Sequence, residues 1–140
     1  SPTDRLELME LIARYAWAYD CGNADAFADT FTAEGGLFAF GQAVARGRTE
    51  LLAFARARFA ERGEHDWQHL TDHHVFFGGG THCRHYCYYS MLEGTRADPR
   101  QFHVRSFGYY DSECERTADG WRFVSRKIGR WDATRLPWPV

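Results

Sequence analysis

The stretch WQHLTDHHVFFGGGTHCRHYCYYSMLE, residues 67–93, decides the fold. It reads as two strands, Trp67 to Phe77 and Thr81 to Glu93, around Gly78-Gly79-Gly80, a hairpin signal. Downstream the β pattern continues from Gln101 to Arg116 after a loop at Asp98-Pro99. A turn at Asp119-Gly120 then leads into Trp121 to Trp131, the fourth long strand. The tail Leu136-Pro137-Trp138-Pro139 cannot continue a central strand and is expected over the surface or against a partner chain.

Upstream the period changes to that of helices. From Thr3 to Asp20, Leu8, Ile12, Tyr15 and Tyr19 recur at four, three and four, which marks one helical face. Asp4 and Glu7 suit a capping box, and Cys21-Gly22-Asn23 a stop, so Asp20 falls in the last turn. A short helix is expected over Ala24 to Phe31, then a brief strand Leu37 to Phe40. A third helix is expected from Thr49 to about Glu61, with Leu51, Leu52, Ala55 and Phe59 inward and Arg56, Arg58 and Arg62 outward. Three helices and a mostly antiparallel sheet make an α+β chain.

Composition narrows the classes. With 140 residues and 44% hydrophobic content the chain suits one domain, 1–140. The 16% aromatic share suits either an aromatic core or a cavity walled by flat, rigid side chains. Net charge is −2 with scattered basic residues, which disfavours nucleic acid and anionic membranes. No apolar run approaches the ~20 residues of a membrane span, and the start lacks a secretory layout, so a cytoplasmic protein is expected.

Cys21, Cys83, Cys87 and Cys114 are read as free thiols. Cys83, His85 and Cys87 share a strand face but spread over about 13 Å, too far to close on one tetrahedral ion. His69 and His73 share a face at a similar spread, so no metal site is expected. No glycine-rich phosphate loop and no Ser or Cys nucleophile motif is present.

Several motifs carry a resemblance over nearly the whole chain: Arg14-Tyr15-Ala16 with Tyr19-Asp20, Asp25-x-Phe27 with Phe31-Thr32, Gln68-His69, and Tyr109-x-Asp111 leading to Asp119-Gly120-Trp121-Arg122-Phe123. Together they resemble the SnoaL-like branch of the nuclear-transport-factor-2-like superfamily. The resemblance implies a cone-shaped α+β barrel, with three N-terminal helices packed in the curved sheet and a pocket at the open end. Such folds host dehydratases, dehydrohalogenases, isomerases, cyclases, epoxide hydrolases and the non-catalytic β subunits of aromatic-ring dioxygenases. The chemical resemblance within that group is to scytalone dehydratase and hexachlorocyclohexane dehydrochlorinase, which carry an Asp at the end of helix one and a His on the strand after helix three. Those positions here are Asp20 and His69, while a second pocket His of the dehydratase has no counterpart between Met91 and His103.

The resemblance implies acid-base chemistry without a cofactor. A neutral imidazole with a reference pKa of about 6.5 is a competent base, and a carboxylate on its other nitrogen fixes the tautomer. Asp20 and His69 are therefore the expected catalytic pair, with Tyr19, Tyr15 or Arg105 donating to the oxygen. The alternatives are a turn residue bound to backbone for Asp20 and a satisfied core imidazole for His69. His103, Arg105, Phe107 and Tyr109 alternate and so share one face. If concave, it gives His103, Arg105 and Tyr109 to the pocket beside Tyr15, Tyr19 and Phe40; otherwise Arg105 meets solvent or a surface acid.

The expected function is a lyase or isomerase acting on a cyclic or polycyclic small molecule, with a polyketide cyclase or a non-catalytic binding or assembly subunit as alternatives. Self-association as a homodimer or homotrimer is expected through the outer sheet face, from Tyr88, Tyr89, Phe102 and Tyr110.

Overall fold

The computed structural model describes residues 1–140 as three helices and six strands in chain order. Helix α1 spans Pro2–Cys21, α2 Ala24–Ala28 and α3 Gly47–Arg62. The strands are β1 Phe31–Ala39, β2 Gln42–Arg46, β3 His65–Gly79, β4 His82–Thr95, β5 Asp98–Thr117 and β6 Gly120–Gly129. They form one sheet in the order β2-β1-β6-β5-β4-β3, so the curved sheet is not closed and β2 and β3 are its edges. Every pairing is antiparallel except β1 with β6.

Helix α1 buries Leu8, Leu11, Ile12, Tyr15, Ala18 and Tyr19 against the concave face, the stripe its periodicity predicts. Its capping box uses Ser1 and Asp4 rather than Asp4 and Glu7. Gly22 ends it with φ 72°. A side chain there would also displace the Arg62 guanidinium, 2.6 Å away, but it is the positive φ that calls for glycine. Helix α2 stops at Ala28, because Phe31 already belongs to β1. The pairing of Leu37 with Ala45 and Ala39 with Gln42 reveals β2, which its few apolar residues did not announce.

The four long strands lie where the alternation predicts, but three register shifts change which residues face inward. One lies between Asp72 and Val75 in β3, one at Met91/Leu92 leaves Arg105 unmatched in β5, and one at Glu113/Cys114 leaves Val124 unmatched in β6. Each inserts a residue and exchanges the two faces of the strand beyond it. Tyr89 and Tyr110, expected on the outer face, point inward and are buried, because neighbours such as Tyr88 and Tyr89 alternate and Tyr110 pairs with the inward Cys87, while Tyr88 and Phe102 remain exposed outside. The tail folds back over the outer face, where Trp131 meets Tyr88 at 4.7 Å and Trp138 meets Tyr86 at 5.5 Å. No helix is long and apolar enough to cross a membrane.

Candidate functional site

Two elements bring Asp20 and His69 together. The last turn of α1 aims Asp20 at β3, where His69 pairs with Met91 on the concave face. The carboxylate accepts twice from one residue: Oδ1 from the His69 ring Nδ1 at 2.7 Å and Oδ2 from the His69 backbone N–H at 2.8 Å. Arg62 donates to the Asp20 carbonyl at 2.6 Å and secures the same helix end. The His69 side chain is only 4% exposed. Its Nδ1 is engaged, so Nε2 is the nitrogen left for chemistry on a ring that lines the adjoining cavity.

That cavity is about 290 Å³, within reach of a small ring compound. Eleven of its fourteen lining residues are hydrophobic, which makes it a low-dielectric space where each polar group counts heavily. Tyr15, Tyr19, Tyr89 and Tyr110 supply rigid walls, with Met91, Phe54 and Leu37 between them, and Phe40 stands 61% exposed at the rim. Tyr19 meets His69 edge-on at 4.8 Å between ring centroids, and Tyr15 does so at 6.3 Å. Burial pushes the Tyr15 phenol up to about 12 and raises Tyr89, so both hydroxyls stay protonated.

Of the expected pocket residues, Tyr15, Tyr19 and Phe40 line the cavity; His103, Arg105 and Tyr109 do not. The register shift at Arg105 splits the row that alternation puts on one face. Phe107 and Tyr109 lie on the outer face, Tyr109 beside Trp131 and Trp138 of the tail. Past the shift His103 pairs with Glu93 but lies 68% exposed beyond the cavity, 3.6 Å from that carboxylate. Arg105 sits over the Trp67 ring and donates to Glu93 at 2.7 Å, so it is spoken for by an acid.

Sequence reasoning missed Arg58. Expected outward, it is half-buried, lines the cavity and donates from Nε to the Tyr19 hydroxyl at 3.0 Å. Its place near the end of a helix whose inner face carries Phe54 and Ala55 was the available signal. Ser106, the inner neighbour of the bulged Arg105, also enters the lining unannounced.

Deeper in the cone a second polar cluster forms. The register shift in β3, with His73 at φ 56°, turns His73 out to stack on Tyr88 and His74 inward to His85. Donor atoms of His74, His85 and Cys87 lie within 4.8 Å of one another, although the flat-strand argument separated such residues. The three are of the kind zinc accepts. Arg126, fully buried and stacked on Tyr15, Tyr110 and Phe123, directs its charge at all three and works against a dication there. Burial, then Arg126 and His74, push His85 down to about 2.

Comparison with known proteins agrees with the fold. The sequence profile of the SnoaL-like domain matches residues 2–127. No curated protein matches the chain in sequence. Among solved structures, an NTF2-like protein with a cystatin-like fold from Novosphingobium aromaticivorans is 26% identical, with 94% of this chain and 84% of that chain covered at a TM-score of 0.77. Rv3472 from Mycobacterium tuberculosis, a protein of unknown function, is 20% identical over 94% of this chain and 74% of its own, at 0.81. Aln2 from a Streptomyces species is also 20% identical, over 93% of this chain and 92% of its own, at 0.81. The latter two likenesses concern the fold alone.

Proposed function

The chain belongs to the SnoaL-like domain family of the nuclear-transport-factor-2-like superfamily, and from that premise we propose that it is a cofactor-independent lyase or isomerase acting on a cyclic small molecule. The supporting observation is the double grip of Asp20 on His69 at the wall of an apolar cavity. An ionised carboxylate only accepts, so the bond to Nδ1 places the imidazole proton there and leaves the Nε2 lone pair free. His69 then takes a proton from a carbon next to a carbonyl, and Asp20 stabilises the imidazolium that forms. Where a C=C conjugates with the enolate, the proton returns at the far carbon in an isomerisation; where a β substituent is present, it leaves with that substituent in an elimination. A purely binding subunit has no need of an imidazole oriented from two sides.

The test is deuterium incorporation from D2O into 1-tetralone and related cyclic ketones, monitored by mass spectrometry. Wild-type protein is expected to accelerate exchange at the carbon beside the carbonyl, and His69→Ala to remove about 10²- to 10⁴-fold of that rate. Exchange no faster than in buffer, or unchanged in His69→Ala, overturns the reading.

A further inference from the structure

We propose that Arg58, braced by Tyr19, is the counterion of the cavity, so that its substrate is a ring compound with an oxygen that is anionic or becomes so during reaction. This rests on the cavity being the reaction site, and it adds the chemical class of what enters.

Among the lining residues Arg58 alone carries a fixed charge. Asp20 makes no hydrogen bond or ion pair with it, since both of its oxygens are bonded to His69. Glu61 is 3.5 Å from Arg58 Nη1 but 67% exposed, a solvated pairing of little worth. The guanidinium is nonetheless oriented: Nε donates to Tyr19, and the group lies over the Trp67 ring with its carbon 5.7 Å from the centroid. A planar fork held at Nε and along its face leaves Nη2 without a partner and Nη1 only in its solvated pairing with Glu61, donors suited to a carboxylate, phenolate or enolate oxygen. Because the walls are largely apolar, an anion entering there gains far more from this charge than it does in water.

Tyr19 ties this cation to the base. Its hydroxyl accepts from Arg58 while its ring packs edge-on against His69, so proton removal and charge stabilisation fall within one aromatic side chain of each other. In the reaction the C–H bond breaks, its proton goes to His69 Nε2 and its electron pair forms a C=C bond. The carbonyl π pair moves onto oxygen, and Arg58 holds the resulting enolate. Where the ring also carries a C=C conjugated with the enolate, the dienolate takes the proton from the imidazolium at its far carbon and the double bond shifts; where it carries a β hydroxyl, the enolate expels it, and the hydroxyl takes that proton and leaves as water. No other reactant is needed.

4-Nitrophenol, whose phenolate and phenol differ in absorbance, tests the assignment, with nitrobenzene as its uncharged counterpart. The wild-type protein is expected to bind the phenolate in preference to nitrobenzene and to lower the pH at which the bound probe ionises. Arg58→Met is expected to weaken phenolate binding about 10- to 100-fold and to leave nitrobenzene binding unchanged. Tyr19→Phe, which removes the brace and keeps the cation, is expected to cost less and again only for the phenolate. His69→Ala is expected to abolish deuterium exchange while keeping the phenolate preference, so failure of the base and failure of the counterion are read separately. Equal affinity of wild type for the two probes, binding of neither, or an undiminished phenolate preference in a folded Arg58→Met protein overturns the assignment.

Discussion

Asp20 holds His69 by ring and by backbone at once, with Oδ1 2.7 Å from Nδ1 and Oδ2 2.8 Å from the amide nitrogen. Asn cannot reproduce this, because it has one acceptor oxygen and would point an NH2 group at one of two N–H donors. Asp20→Asn is therefore expected to misplace or turn the imidazole and to lower ketone exchange about 10²-fold or more. Losing one charged hydrogen bond is worth about 1.5–3 kcal/mol, small enough for the fold to survive. The check is an exchange rate measured on protein whose circular dichroism matches wild type.

The helices, the long strands and the Asp20/His69 pair were legible because each rests on local periodicity or on a resemblance carried by short motifs. The inward and outward faces were obscured by the bulges. Alternation puts His103, Arg105, Phe107 and Tyr109 on one face only if no residue is inserted, and Arg105 is itself the insertion. An inserted residue likewise redirects Arg126: counting inward from Phe123 by twos points it to solvent, and the extra residue at Val124 turns it into the core. It explains His74 in place of His73 as well. Arg58 is a different failure, since a long cation on a helix flank reaches inward when a hydroxyl such as that of Tyr19 is there to receive it.

Acid should destabilise the protein through His85. Burial, Arg126 and His74 hold its folded value at about 2, against 6.5 for the free side chain. Between those values the unfolded chain binds a proton that the folded chain does not, so this contribution is intact above about pH 6.5 and is lost as pH falls below it. His74, also shifted downward by burial, adds in the same direction. Urea unfolding from pH 7 to pH 5 should show stability falling by up to about 1.4 kcal/mol per pH unit for His85. His85→Phe, beside the Phe76 ring at 4.8 Å, should flatten that slope. Identical slopes in the two proteins refute the assignment.

Arg126 is buried without an acidic partner. Nη1 donates to Ser112 at 2.9 Å, and Nε and Nη2 have none, so aromatic faces carry the rest of its stabilisation. A buried charge compensated this way is costly, and an apolar chain of similar length often does as well or better. Arg126→Met is expected to leave the melting temperature at neutral pH unchanged or raised. A drop of several degrees would mean that the cation–π contacts outweigh desolvation.

Thiol reactivity should separate Cys21 from the rest. Cys21 is exposed, whereas burial raises Cys83 and pushes Cys87 to about 11 and Cys114 to about 12. The thiolate is the nucleophile, so iodoacetamide at neutral pH is expected to modify the native chain at Cys21 alone, and all four cysteines only in denaturant. Rapid native labelling of Cys87 or Cys114 would show that the concave layer opens far more readily than its packing implies.

The outer face should pair with a second copy of this chain. Register places Leu70, Ser90 and Phe107 in one row across β3, β4 and β5, and Gln68, Leu92 and Val104 in the next. Leu70, Val104 and Phe107 are 50%, 55% and 65% exposed, so an apolar band crosses three strands with no helix or tail over it. Trp138 and Trp131 already cover the neighbouring region around Tyr86 and Tyr88, which shows how that surface is shielded where the chain reaches it. A self-complementary patch on one chain is satisfied by a twofold axis, so a dimer is the expected assembly. Light scattering should report two chains at micromolar concentration, and Phe107→Asp one, with deuterium exchange of a bound ketone retained because Phe107 faces away from the cavity. A wild-type monomer under those conditions would leave the band as exposed surface and end the prediction.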